Sequence, residues 1–239
     1  MNVTIIAEVG QNHKGNMSFA CDLIDLARKN GADMVKFQLF DTEKIDYWPT
    51  PEIKQEAKDT EVTFDQARNL YQYGEETGIE VFFSVFDTER VQWCEDIGVK
   101  RYKISCSMRT NGNLIGAIVK TGKPIIITLP AVITKSPMTT LYTANRQSEK
   151  HHGLLPVYGV SISDCHFKDI VFGRDYDGFS DHSIGLDASK IAIARGAKVI
   201  EKHFSIDHET GMDAKWSMNP EELRELRRWA DLAQSYRRD

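Results

Sequence analysis

Five phrases of the chain share one arrangement, in which a helical stretch ends at a glycine and a buried strand begins almost at once. They are "KNGADMVKF", "ETGIEVFF", "DIGVKRYKI", "KTGKPIIIT" and "ARGAKVIEKHF". Glycine commonly ends helices because it adopts left-handed backbone angles at little cost. Short apolar runs that alternate with amphipathic helices are typical of βα units around a parallel sheet. The repeated phrase therefore predicts an α/β fold.

Eight such units can be counted along the 239 residues. The strands are predicted at Val3–Glu8, Met34–Gln38, Val81–Val85, Arg101–Ser105, Ile125–Leu129, Leu154–Val160, Gly178–His182 and Lys198–His203. The intervening helices are predicted at Ser18–Asn30, Phe64–Thr77, Glu89–Ile97, Asn113–Thr121, Asp187–Arg195 and Pro220–Tyr236. Eight units predict a (β/α)8 TIM barrel that forms a single domain over residues 1–239, with its active site at the carboxyl ends of the strands. A doubly wound open sheet is the alternative.

Two polar segments, residues 39–62 and 131–153, interrupt this pattern and are expected to be long loops with some helix. Because they follow strands 2 and 5, they would lie on the catalytic face.

Composition limits the partners and the cellular compartment. The net charge of −5 leaves no basic excess for nucleic acid. No apolar run approaches the ~20 residues of a membrane helix, and the amino terminus carries no cationic leader, so we expect no membrane partner and no export. The four cysteines form no CxxC pair and are expected to be reduced thiols. A cytoplasmic protein is predicted.

Polar residues at the predicted strand ends are the candidates for chemistry. Because alternate residues of a strand share a face, Lys36 lies on the same side as Gln38, Lys103 as Ser105, and Glu201 as His203. Buried lysines need anionic partners, and lysines beside serine or threonine hydroxyls suit a phosphate or carboxylate ligand.

The ends of strands 7 and 8 carry one histidine each, His182 and His203. If the strands are parallel neighbours, both imidazoles can converge on one divalent metal, with water and substrate oxygens as further ligands. Glu8 or Glu201 could complete or orient this shell. The alternative is that each histidine only caps its strand and bonds to the backbone.

Several longer segments resemble the sialic acid synthase (N-acetylneuraminate synthase) family. They are "IAEVGQNHKGN", "GADMVKFQLF", "RYKIS", "KTGKPI", "FSDHSIGLDASKIAIARGAKVIEKHF" and "WSMNPEEL". The resemblance implies a (β/α)8 barrel that condenses phosphoenolpyruvate with a sugar aldehyde of the N-acylmannosamine type, giving a nonulosonic acid and phosphate. It also implies a divalent metal, manganese or magnesium, held by His182 and His203.

The resemblance further implies roles for individual residues. Phosphoenolpyruvate would be bound by Lys36, Ser84, Lys103, Ser105, Thr128 and Ser180. Catalysis would involve Lys36 together with Glu8 and Glu201, either of which is a candidate general base. Asn12, Gln38 and Asp213 would contact the substrate.

The sequence departs from the family pattern in four ways, and three of them fall where the family handles its sugar. Where the family has Ser-Gly-Glu, this chain has Ser105-Cys106-Ser107. Where the family has Ser-Thr-Gly-Met and Asn-x-Tyr-Pro, this chain has Thr128-Leu129-Pro130-Ala131 and Gly159-Val160-Ser161-Ile162. The fourth departure is that no counterpart of the family's C-terminal antifreeze-like domain is expected in this sequence, so any homodimer is expected to form through the barrel. Two alternatives stay open: a non-catalytic barrel that binds a sugar or a protein, and another metal-assisted reaction on a phosphorylated small molecule.

Overall fold

The structure, a computed structural model, describes residues 3–46, 48–130, 154–159 and 177–236, with the backbone alone for residues 130 and 154–159. Eight parallel strands form a closed barrel in the order β1 to β8. They are β1 Thr4–Gly10, β2 Met34–Leu39, β3 Glu80–Val85, β4 Tyr102–Ile104, β5 Ile125–Pro130, β6 Leu154–Gly159, β7 Gly178–Asp181 and β8 Val199–His203. Because β1 pairs with both β2 and β8, the barrel is confirmed and the open sheet is wrong.

Helices surround the barrel in the described ranges. They are α1 Met17–Lys29, α2 Pro51–Asp59, α3 Phe64–Thr77, α4 Thr88–Ile97, α5 Gly112–Lys120, α6 Asp187–Ala194 and α7 Pro220–Ser235. All six predicted helices are present with small shifts at their ends. The segment 39–62 contains α2, which begins at a proline behind the capping side chain of Thr50, and a 3₁₀ turn at Thr42–Lys44. The glycines after α1, α3, α4, α5 and α6 all have positive φ, as the repeated phrase predicts.

The inward-facing side chains form two layers. The lower layer is apolar, with Ile6, Phe82, Ile126 and Val199 buried together and Met34 packed against them. The layer above it is polar and lies toward the carboxyl ends of the strands, where TIM barrels carry their active sites. A larger apolar core fills the space between the strands and the surrounding helices. Among the described residues, the polar layer therefore lies between the apolar layer and the carboxyl ends of the strands.

Two further expectations concern the surroundings of the chain. None of the helices that the structure describes is long and apolar enough to cross a membrane. Cys21, Cys94 and Cys106 are free thiols, whereas Cys165 lies outside the described residues.

Candidate active site

Two lysines and two glutamates form a buried charge cluster in the polar layer. Glu8 of β1 stands level with Lys36 of β2, and Ser84 of β3 stands level with Lys103 of β4. Lys36 Nζ lies 2.7 Å from Glu8 Oε2 and 3.8 Å from Glu201 Oε2, and Lys103 Nζ lies 3.4 Å from Glu201 Oε1. Strand alternation therefore places both ammonium groups in the barrel as predicted, and internal carboxylates are their partners.

The cluster shifts the pKa of each member. Burial raises the pKa of Glu8, and repulsion from Glu201 raises it further against the attraction of Lys36. Burial also acts to raise the pKa of Glu201, but Lys103 and Lys36 outweigh it and hold the value at about 2. Burial acts to lower the pKa of Lys36, yet Glu201 and Glu8 raise it overall, whereas burial lowers the pKa of Lys103. Glu201 is thus firmly ionised, and Glu8 is the carboxyl group that takes up a proton more readily.

Hydroxyl groups surround the cluster. Lys36 Nζ donates to Ser84 Oγ at 3.1 Å, and Ser180 Oγ donates to Glu201 Oε1 at 2.9 Å. Thr128 is buried, and its Oγ1 has no hydrogen-bond partner in the described part of the chain. Ser105 follows the end of β4, is half-buried, and its Oγ lies 2.9 Å from Ser107 Oγ.

The rings of His182 and His203 lie side by side, as expected from neighbouring parallel strands. Their centroids are 4.9 Å apart and their planes are inclined by 71°. Burial lowers the pKa of each imidazole to about 3, so both are neutral at pH 7 and retain a lone pair for a ligand. Within the described ranges, no three His, Cys, Asp or Glu side chains together surround a metal position. The protein donors would therefore be the two imidazoles, with other positions left to substrate and water.

Asp213 and Trp216 border His203 on the segment that follows β8. Asp213 Oδ2 lies 3.4 Å from His203 Nδ1, and burial raises the pKa of Asp213 to about 6. The indole of Trp216 stands perpendicular to the His203 ring with the centroids 6.5 Å apart, and its buried Nε1 has no hydrogen-bond partner among the described residues. Sequence reasoning missed Trp216, because it lies in a 3₁₀ turn, Ala214–Trp216, where no strand alternation assigns a direction.

Gln38 and Asn12 occupy different positions around this site. Gln38 Nε2 donates to Glu8 Oε1 at 2.9 Å and so orients that carboxyl group. Gly10, with φ of 54°, leaves room here, since a Cβ atom would stand 3.2 Å from Gln38 Nε2 and 3.4 Å from His203 Cε1. Asn12 is fully buried between the segments after β1 and β8 and donates to the carbonyl of Phe204.

Two charged residues beside the paired histidines, Asp181 and Lys202, face away from the barrel interior. Asp181 lies between Ser180 and His182, and Lys202 lies between Glu201 and His203. Lys202 Nζ lies 3.4 Å from Asp181 Oδ2 and donates to the carbonyl of Ser183 at 2.6 Å. Asp181 also accepts hydrogen bonds from Ser183 and from Ser189 of α6. This buried ion pair fixes the backbone on both sides of His182.

Other residues considered from the sequence lie elsewhere or are not described. His208 is exposed on the surface. His13 is buried and packs beside Phe37, with its Nδ1 accepting a hydrogen bond from the Gly15 amide. His151, His152, His166 and the segments 131–153 and 160–176, which include parts of the altered loops after strands 5 and 6, lie outside the described residues.

The comparisons with known proteins agree with one another. A model of the NeuB family matches residues 23–236. An N,N'-diacetyllegionaminic acid synthase of Legionella pneumophila is 30% identical over 261 residues, covering 95% of this chain and 70% of that protein. The human N-acetylneuraminate-9-phosphate synthase is 28% identical over 253 residues, covering 96% of this chain and 70% of that protein.

A solved structure shares the fold over nearly the whole chain. It is the N-acetylneuraminic acid synthetase of Leptospira borgpetersenii in complex with citrate, which superposes with a TM-score of 0.88 at 26% identity. The alignment covers 98% of this chain and 85% of that one.

Proposed function

Because the chain belongs to the NeuB family, we propose that it is a synthase that condenses phosphoenolpyruvate with an N-acylmannosamine-like sugar aldehyde, using a divalent metal. The products would be a nonulosonic acid and phosphate. The observation that carries the proposal is the juxtaposition of the Lys36 and Lys103 ammonium groups with the paired imidazoles of His182 and His203 on one face of the barrel.

The lysines would bind the phosphate and carboxylate of phosphoenolpyruvate. Lys36 and Lys103 share one carboxylate, Glu201, and in the described part of the chain Lys103 has no other carboxylate within ion-pair distance. Burial without enough anionic partners is costly, so a bound anion would stabilise both ammonium groups. The unpartnered hydroxyl of Thr128 would donate a hydrogen bond to the same ligand.

The imidazoles of His182 and His203 would hold the metal. Two neutral nitrogen donors favour manganese over magnesium, which prefers oxygen ligands. When bound, the ion would polarise the aldehyde oxygen, so that carbon 3 of phosphoenolpyruvate can attack the aldehyde carbon.

Glu8 is the better candidate for the base that activates the water attacking carbon 2. A general base works best with a pKa near the operating pH, and burial raises the pKa of Glu8 whereas the lysines hold that of Glu201 at about 2. Gln38 would keep Glu8 oriented through its hydrogen bond, and Lys36 would stabilise its carboxylate form, which accepts the proton of the attacking water. Glu201 would then act mainly as the fixed counter-charge of the lysines.

The test is phosphate release from phosphoenolpyruvate with manganese and a panel of N-acylated hexosamines, with and without a 6-phosphate. We expect release only when metal, phosphoenolpyruvate and an aldehyde are all present. Lys103→Met should raise the KM for phosphoenolpyruvate at least tenfold, whereas Lys100→Met, a change at an exposed lysine 52% accessible, should leave it unchanged. Phosphoenolpyruvate binding that is equally tight in both variants would contradict the proposal.

One observation favours a second candidate, a barrel that binds a sugar or protein without catalysis. Internal carboxylates already accompany both inward ammonium groups, so charge balance does not by itself require a ligand. This candidate predicts that purified protein binds neither manganese nor phosphoenolpyruvate by calorimetry, which separates it from the synthase.

A further inference from the structure

The side-chain amide of Asn12 joins the segment after β1 to the segment after β8. Nδ2 donates both of its hydrogens, to the carbonyl of Phe204 at 3.0 Å and to Ser217 Oγ at 2.9 Å. Oδ1 accepts from the backbone N–H of Asp213 at 2.9 Å. Since both donors and the acceptor are engaged inside the protein, this amide has no free hydrogen to offer a sugar.

The segment after β8 lies directly against Asn12. Gly211 has φ of 115°, and a Cβ atom there would stand 2.4 Å from Asn12 Oδ1 and 2.6 Å from Asn12 Cα. Ser217 Oγ also donates to the carbonyl of Asp213 at 2.7 Å. The backbone of Asp213 is therefore fixed at two points: its N–H donates to Asn12, and its carbonyl accepts from Ser217, which is itself bound to Asn12.

The held carboxylate faces one of the paired histidines. Asp213 Oδ2 lies 3.4 Å from His203 Nδ1, which is buried and makes no hydrogen bond to the rest of the described structure. This distance is slightly long for a hydrogen bond, and such contacts tighten when a ligand binds. A carboxylate at Nδ1 keeps the proton on that nitrogen and leaves the lone pair on Nε2.

We propose that Asn12 is a positioning residue: it holds Asp213 against His203 and thereby fixes the imidazole tautomer that presents Nε2 to an electrophile. The proposed function is needed only to name that electrophile as a metal ion. In this proposal Asn12 acts through Asp213, whereas the resemblance implies a direct contact with the substrate.

The test reads the tautomer directly, in metal-free protein labelled with ¹⁵N-histidine, from the ¹⁵N chemical shifts of His203. We expect Nδ1 to be protonated in the wild type. Asn12→Ala and Asp213→Asn should each convert His203 to a mixture of tautomers. The matched control is Asn111→Ala, which removes an asparagine that caps α5 through a similar side-chain bond and should leave the tautomer unchanged.

A second readout is the affinity for Mn²⁺ alone, measured by electron paramagnetic resonance. Loss of a group that orients a ligating histidine typically weakens metal binding ~10–100-fold, and we expect this in Asn12→Ala but not in the control. If Asn12→Ala does not fold, Ser217→Ala, which removes one partner of the amide, should shift both readouts in the same direction by a smaller amount.

The outcomes separate this inference from the proposed function. An unchanged His203 tautomer in folded Asn12→Ala, or in Ser217→Ala if the first variant does not fold, overturns the inference. So does a raised KM for the sugar with an unchanged His203 tautomer and unchanged Mn²⁺ affinity, because that result assigns Asn12 to substrate binding. Absence of turnover in the wild type would refute the synthase while the tautomer measurement still decides the role of Asn12.

Discussion

The ion pair between Lys103 and Glu201 should contribute strongly to stability, and a double-mutant cycle would measure it. Both side chains are almost fully buried, and their charged atoms are 3.4 Å apart. With an effective dielectric constant of about 20, their Coulomb attraction is ~5 kcal/mol. In the part of the chain that the structure describes, no other carboxylate pairs with Lys103 within ion-pair distance, so Glu201→Gln should leave its ammonium group buried without a counter-charge.

Each substitution has a different expected cost. Glu201→Gln should lower the free energy of unfolding by ~3–5 kcal/mol, as is usual when one partner of a buried pair is removed. Lys103→Met should cost less, because Glu201 retains Lys36 at 3.8 Å and the hydrogen bond from Ser180. The double variant should be more stable than the sum of the two costs predicts, since it buries no unpaired ammonium group.

Urea unfolding at pH 7, followed by tryptophan fluorescence and by circular dichroism, gives these free energies. The control cycle uses Lys100 and Glu75, whose charged atoms are closer, at 2.8 Å, but lie on the surface. Solvent screens this pair, so its coupling should be far smaller. Equal coupling in the two cycles, or coupling below about 1 kcal/mol for Lys103 and Glu201, would refute the argument that burial makes the pair strong.

Two further predictions concern the paired histidines and their support. The pKa values of His182 and His203 are about 3 in the folded state, below the ordinary value of 6.5. The two neutral rings therefore favour the folded state fully above pH 6.5, and this contribution is lost as the pH falls toward 3. The loss is ~1.4 kcal/mol per pH unit for each ring. Asp213, with its pKa raised to about 6, and Glu8, whose pKa burial also raises, act in the opposite direction as pH falls. The measurement therefore compares the wild type with His182→Gln in urea unfolding, and an equal pH dependence of stability in the two proteins would contradict the burial of this ring. Asp181→Asn leaves the buried ammonium group of Lys202 without its carboxylate. It should lower the free energy of unfolding by ~3 kcal/mol and weaken Mn²⁺ binding. If both quantities are unchanged, the ion pair does not support His182.

Strand alternation accounts for the part of the site that the sequence predicts. Lys36, Lys103, Glu201 and His203 lie in the barrel because a period of two fixes which side of a strand faces inward once the strand itself is recognised. The same rule, applied one residue further, assigns Lys202 to the outer face. Residue type alone does not separate Asp181 and Lys202 from the polar residues beside them, whereas their position along the strand separates the residues that face the site from those that support it.

The features that the sequence does not predict all depend on contacts between distant segments without regular structure. Asn12 and Asp213 are 201 positions apart, and neither lies in a strand or helix whose period assigns a direction to its side chain. Both are polar residues in turns, where capping, substrate binding and loop bracing require the same chemical groups. Only the distances show that both N–H hydrogens of the Asn12 amide are engaged within the protein, while the Trp216 N–H has no partner among the described residues. Assigning a loop residue to substrate therefore requires knowing which of its hydrogen bonds the fold already makes, and by that criterion Trp216 is a stronger candidate for a contact with the sugar than Asn12.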